Sequence, residues 1–372
     1  MNMFSKIEDL IHAPGVYLNL DEDEYHADPS LSASGIKLLT VSPLDYWVNS
    51  PHLNPGKVEK TSDALNLGKA YHKIILEGRA AFDAAFCVAP DKEDHPDALD
   101  GGEQLREYCK SLGLKANGTI SEMCKRIREV DATVELWPEV KELFEAERGD
   151  RATLTKAQWD ALRLVEIVVN RMPSTKGAFG NGFPEVSIFW RDELGVPMKA
   201  RMDYLKPKTI LDLKTFANIM SKETLSAVAN EVARNRYFIQ PIVYRRGLRA
   251  VKALYSEHGA SVVRDATEVP EGLHQALTAE QERFHFIFVQ TGGVPNVVIR
   301  EFAEFETYAG LSATQNGYWY RGEVEMRRGI ELYRKCMAQF KEGEPWITDF
   351  GRTAFKDESF PIWMLNNPEV AA

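Results

Sequence analysis

The 372-residue chain has little cysteine: Cys87, Cys109, Cys124 and Cys336 are far apart, with no Cys-x-x-Cys pair. Such spacing excludes a structural zinc site or a disulfide framework and leaves four buried free thiols as the reading. No run of 18 apolar residues occurs, and the opening Met-Asn-Met-Phe-Ser-Lys-Ile-Glu-Asp-Leu lacks the apolar stretch of a signal peptide. A cytoplasmic, non-membrane protein is expected. Positive charge is also in deficit, with 45 Lys and Arg against 55 Asp and Glu and a net charge of −10. Indiscriminate binding to a polyanion is thereby excluded, and any nucleic-acid partner must be met by local positive charge. Internal repeats and low-complexity segments are missing too. What remains, 44% hydrophobic and 27% charged residues, is ordinary for a globular chain that forms one large α/β domain with insertions or two domains.

Two segments carry local positive charge. Residues 233–252 hold Arg234, Arg236, Arg245, Arg246, Arg249 and Lys252 with no acid among them. Residues 104–128 hold Arg106, Lys110, Lys115, Lys125, Arg126 and Arg128 against Glu107 and Glu122. Such runs are either solvated helix faces or anion-binding surfaces.

Residues 15–20 read as an extended start, followed by an acidic loop. Ser32 or Ser34 caps a helical turn over 36–39, and Ser42-Pro43 starts another short helix through Tyr46 and Trp47. Residues 50–62 read as a loop and 64–76 as a helix carrying Leu67, Gly68 and His72. Within 95–135, Leu105, Tyr108, Cys109 and Leu112 repeat at i, i+3, i+4, i+7, as do Ile120, Met123, Cys124 and Ile127. Gly113 ends the first of these helices, and Thr119 with Glu122 forms a capping box for the second. These residues look inserted, dividing the chain into 1–94, 95–135 and 136–372. Beyond them we expect a helix over 156–172, strands over 185–191, 197–205 and 209–214, and helices over 219–233 and 236–248. Strands over 284–289 and 296–302, a helix of roughly 305–341 and a tail with Trp346, Phe350 and Trp363 complete the reading.

The most informative stretch is 203–214. Side chains two apart on a strand share a face, so Asp212 and Lys214 project together, and Asp203 lies on the neighbouring strand across the turn at 206–208. Carboxylates from two strands are the hard oxygen ligands that Mg²⁺ or Mn²⁺ prefers. Hydrolysis of a phosphodiester needs an activated water, charge stabilisation on the phosphoryl oxygens and help for the departing oxygen, which carboxylate-held divalent ions supply. A flexible lysine suits the position beside that water, and a neutral imidazole at His72 adds a ligand from a different element.

Four elements occur in order: Gly68-Lys-Ala-Tyr-His72, Arg201-Met-Asp203, Asp212-Leu-Lys214-Thr215 and Gln240-Pro-Ile-Val-Tyr244. Their order resembles the GxxxH, RxD, DxKT and QxxxY motifs of RecB-like nucleases in the PD-(D/E)XK superfamily. The phrases at 31–43 and 185–190, and Lys199-Ala-Arg-Met-Asp203-Tyr-Leu205, resemble the RecE exonuclease family, also called exonuclease VIII, over residues 15–365. That resemblance implies an α/β fold, a PD-(D/E)XK core with a mixed central sheet flanked by helices, plus a small helical insertion. It makes His72, Asp203 and Asp212 metal ligands together with the backbone carbonyl of Leu213, and Lys214 the group that orients or activates water. Glu185 becomes an auxiliary acid. Gln240 and Tyr244 support the site and touch DNA, with Arg201, Arg245 and Arg246 nearby. Met202 stands where relatives often have proline, and Phe216 where a second threonine is common, but neither change removes a ligand. The string from Leu112 to Ile127 resembles a SAP-like helix-extension-helix, which makes Lys115, Lys125 and Arg126 candidate contacts to the duplex backbone.

The implied activity is a Mg²⁺- or Mn²⁺-dependent exonuclease that degrades one strand of linear duplex DNA, 5′ to 3′. Its 3′ single strands would go to an annealing protein of RecT type in phage or prophage recombination. The family also implies a homo-oligomeric ring around DNA, in a bacterial or phage-infected cell. Two other functions compete: a RecB-like single-strand or flap nuclease, whose iron–sulfur branch the cysteine spacing disfavours, and a non-catalytic DNA-end-binding module. Taken singly, Asp212 with Lys214 can be a same-face ion pair, His72 a core or capping histidine, and Gln240 with Tyr244 a packing pair.

Overall fold

Residues 183–217 fold as an antiparallel meander of β4 (Phe183–Arg191), β5 (Pro197–Lys206) and β6 (Thr209–Ala217). The turns between them sit where the sequence places Gly195 and the Pro207-Lys208 pair. In this computed structural model the described residues are 11–349 apart from 55, 58–62, 219, 292 and 304–316, with backbone alone for 63–65. The short β1 (Gly15–Tyr17) joins β4, and β7 (Arg283–Thr291) and β8 (Val297–Glu301) complete a six-stranded sheet of order β1-β4-β5-β6-β7-β8. Every neighbouring pair is antiparallel except β6 with β7. A parallel pair needs a long crossover. Residues 218–282 supply it, and they include the long helix α6 (Ile239–His258). The mixed α/β architecture expected from the sequence is therefore present.

Each face of the sheet is covered by its own core. On one face Val186, Ile188, Trp190, Met198, Ala200 and Met202 pack with Ile36 and Leu39 of α1 (Ala33–Val41), with Ile239, Ile242 and Val243 of α6, and with Met326 and Ile330 of α7 (Tyr318–Gln339). Gly247 lets α6 lie directly on β4, since a Cβ there would stand 2.6 Å from the Trp190 ring. On the other face Tyr204, Leu211, Leu213 and Ile287 pack with Ala70 and Tyr71 of α2 (Asp63–His72) and with Leu162, Val165 and Val169 of α5 (Lys156–Arg171). α2 runs on into a π-helical turn, Lys73–Glu77, immediately after His72.

Between these elements, α3 (Gly101–Ser111) and α4 (Ile120–Val130) pair around Leu105, Cys109, Met123, Cys124 and Ile127, a cluster separate from the two sheet cores. The capping box of Thr119 with Glu122 forms, as do the caps at Ser32 and Ser42. The acidic segment expected to be a loop contains a helix, Glu22–Ala27, capped by Asp21. Strands β2 (Phe86–Val88) and β3 (Ala152–Leu154) form a parallel pair absent from the sequence reading. The final helix is described from Tyr318 to Gln339, and the start expected near 305 lies outside the described residues. Trp346 is buried and stacks on Tyr46, whereas Phe350 and Trp363 lie outside the described residues.

Candidate active site

The site forms where the regular alternation of β4 and β5 breaks. Along β5, Met202 belongs to one core, Tyr204 to the other and Leu205 again to the first. The register that pairs Pro184 with Tyr204 and Val186 with Met202 sets Glu185 opposite Asp203. Glu185 has φ of +53°, a left-handed conformation that a non-glycine residue adopts at an energetic cost and that recurs at functional sites. The β5–β6 ladder closes from Lys206 with Thr209 up to Tyr204 with Leu211 and goes no further. Beyond that point the Asp203 carboxylate, rather than a strand carbonyl, accepts the Leu213 N–H at 2.7 Å.

His72 reaches the same place from α2. Its Nδ1 lies 3.7 Å from Asp203 Oδ2, and the Leu213 backbone hydrogen-bonds the ring. Ligand atoms of His72, Glu185 and Asp203 all fall within 4.8 Å of one another. Burial, with Lys214 nearby, holds the His72 pKa below its ordinary value, so the imidazole is neutral and has a lone pair to donate. Burial pushes Asp203 up to about 7 and Asp212 up to about 6, in the second case with the Asp203 charge acting the same way. Two adjacent buried carboxylates without enough positive charge are what a bound cation satisfies. Two carboxylates and an imidazole are also a donor set for a divalent ion. The residues present thus fit a divalent metal held by His72, Glu185 and Asp203.

Asp212 takes a different position from the one expected. It is near enough to Asp203 and His72 to influence both charges, yet it is not one of the three clustered ligands. Its Oδ1 lies 2.5 Å from Lys214 Nζ, and its Oδ2 accepts a hydrogen bond from Gln240. The side chain is fully buried. Gln240 in turn bonds Tyr244 one helical turn on. Asp212 and Lys214 do share a face, as strand geometry requires. Burial pulls the Lys214 pKa down, but Asp212 and Asp203 together carry it above its ordinary value, so the group held here is an ammonium. Arg201 donates to Glu185 at 2.8 Å and anchors that carboxylate.

The basic segment 233–252 is largely neutralised within the fold. Arg245 is buried with its guanidinium 5.0 Å from the Trp319 ring, and Arg246 pairs with Glu323. Arg236 pairs with Glu325, and Arg249 and Lys252 both reach Glu282. The segment has no acid of its own because α7 and the residue before β7 bring the acids to it. Arg245 is consequently a packing residue rather than an exposed phosphate contact. In the helical insertion Lys115 and Lys125 are exposed, while Arg126 donates to the backbone carbonyls of Lys115 and Asn117 and braces the loop.

Two site residues escaped the sequence reading. Lys37 on α1 lines the same cleft, of about 1040 Å³, that contains His72, Glu185, Asp203, Gln240 and Tyr244. The Tyr237 ring lies 4.8 Å from Lys37 Nζ and 5.4 Å from Lys214 Nζ. Tyr237 belongs to no spaced motif, and Lys37 lies within the phrase at 31–43 without being singled out there.

The chain has a counterpart among known families. Residues 32–263, more than half of the chain, match the family described as "PDDEXK-like domain of unknown function (DUF3799)". The chain belongs to that family. The match runs from α1 through α6 and so includes every site residue above. Among solved structures the chain is similar to a protein from Eubacterium rectale described as "Putative exonuclease", at 15% identity and a TM-score of 0.44, covering 94% of this chain and 99% of that one. No curated protein matches. Among the described residues no helix is long and apolar enough to cross a membrane.

Proposed function

We propose that this PDDEXK-like protein is a divalent-metal-dependent nuclease that hydrolyses phosphodiester bonds of linear duplex DNA. The observation that carries the proposal is the convergence of His72, Glu185 and Asp203 in a cleft of about 1040 Å³, with the Asp212–Lys214 pair close by. A divalent ion bound there supplies charge stabilisation at the phosphoryl oxygens and lowers the pKa of a water. The chain's own residues do the rest. Leu213 N–H fixes the Asp203 carboxylate, and Arg201 fixes Glu185. Gln240 and Asp212 hold the Lys214 ammonium in place, where it orients the attacking water or shields phosphoryl charge.

Within that activity we favour exonucleolytic removal of one strand, 5′ to 3′, leaving a 3′ single strand. The support is the resemblance to RecE exonucleases at residues 31–43, 185–190 and 199–205. With it come Mg²⁺ or Mn²⁺ as the metal, a ring-shaped homo-oligomer and a RecT-type annealing partner. The test uses linear duplexes labelled at the 5′ or the 3′ end, with Mg²⁺ or EDTA. Mg²⁺-dependent early release of the 5′ label as mononucleotide is expected. Early loss of the 3′ label reverses the polarity, cleavage confined to single strands or flaps selects the RecB-like alternative, and binding without release of nucleotides refutes the enzyme.

A further inference from the structure

The cleft around His72, Glu185 and Asp203 contains several basic side chains, and nearly all have an acid beside them. Lys69 lies 2.9 Å from Glu22, Lys73 2.7 Å from Glu77 and Arg201 2.8 Å from Glu185, while His26 and His72 each have a carboxylate at 3.7 Å. Lys214, at the edge of this group, is paired with Asp212. Lys37 is the exception: among the described residues no carboxylate lies within ion-pair distance of it. Its neighbours are the Tyr237 ring and a second ammonium close to the same ring, Lys214.

This is an unfavourable place for a cation. Burial pulls the Lys37 pKa down to about 8, Lys214 and Arg236 act in the same direction, and Asp212 opposes them. The fold does not need the charge, because α1 is anchored by Ile36 and Leu39 in the core and by the close approach of Gly35 to Tyr46. An apolar side chain at 37 would cover Tyr237 equally well without desolvating an ammonium. The missing partner is an anion that enters the cleft from outside. A compact ammonium held over an aromatic ring offers a fixed point charge of the kind that meets a phosphate oxygen.

We propose that Lys37 binds a non-bridging phosphate oxygen of the nucleic-acid strand lying in the cleft, as a substrate-positioning residue that shares the Tyr237 ring with Lys214. The inference rests on the nuclease reading above.

The test compares wild type, Lys37→Met and Lys37→Arg for binding of a short 5′-phosphorylated duplex by fluorescence anisotropy. Ca²⁺ replaces Mg²⁺, the salt concentration is varied, and thermal unfolding is followed in parallel. Losing one phosphate contact should weaken binding by Lys37→Met about tenfold and make the log–log salt slope shallower by roughly 0.9. Lys37→Arg should recover most of both, and Lys37→Met should melt at or above the wild-type temperature because a desolvated charge is gone. An unchanged affinity and slope would overturn the proposal. So would a Lys37→Met protein that loses stability and is not restored by arginine, since that behaviour belongs to a packing residue. Wild-type protein that binds no duplex takes down the nuclease reading as well, whereas wild-type binding and cleavage matched by Lys37→Met removes only the assignment of Lys37.

Discussion

Replacing Asp203 by asparagine should stabilise the metal-free protein, and the gain should depend on pH. Burial raises the Asp203 pKa from an ordinary value near 3.8 to about 7, so the native state holds its proton where the unfolded chain has released it. Stability contributed by this group therefore falls as pH rises from about 4 to about 7 and stays low above that. The substituted amide does not titrate, and its oxygen can still accept the Leu213 N–H. A rise of that size corresponds to an upper limit of ~4 kcal/mol, reduced to roughly 2–4 kcal/mol because Asp203 shares its charge environment with Asp212 and Lys214. Urea unfolding in EDTA at pH 5 and pH 8 measures the difference. The variant should be the more stable protein at pH 8, with a gap that narrows by roughly 2 kcal/mol at pH 5. Mn²⁺ at pH 8 should raise wild-type stability and leave the variant unmoved, because ligand binding stabilises only a fold that holds the ion. A variant less stable by the same amount at both pH values would show that the carboxylate is a structural acceptor and refute the account of a charge awaiting a cation.

Asp212→Ala and Lys214→Ala should each lower the rate of duplex cleavage by about 10²–10⁴-fold in a gel assay with Mg²⁺, and wild-type rates from either would remove that residue from the chemistry. Changing Lys115, Lys125 and Arg126 together to alanine should weaken duplex binding and flatten its salt dependence. The slope change should amount to about two contacts rather than three, because Arg126 spends its guanidinium on the loop backbone, and an unchanged slope would leave the insertion outside the DNA interface.

Where local chemistry dictated structure, the sequence was readable. Strand alternation through 185–214 located β4, β5 and β6 to within a few residues, and it put Asp212 and Lys214 on one face, where they touch. Thr119 with Glu122 announced a helix start through hydrogen bonds that involve only neighbours in sequence. The parts that depend on distant partners were not readable. Pairing of β6 with β7 brings together residues more than seventy positions apart. The acids that neutralise Arg236, Arg246, Arg249 and Lys252 come from segments 30 to 90 residues away, so a basic run in sequence is not a basic surface in the fold. The ligand set shows the same contrast. His72 and Asp203 come together as expected and Glu185 joins them, while Asp212 pairs with Lys214 and Gln240; nothing in its residue type forecasts the left-handed φ of Glu185.

A divalent ion held jointly by His72, Glu185 and Asp203 can be seen directly. Crystals soaked in Mn²⁺ and measured at the manganese absorption edge should show an anomalous peak within bonding distance of all three side chains, and the peak should vanish in Asp203→Asn. Ordered, well-defined density for these residues with no peak between them, or a peak elsewhere on the chain, would contradict it.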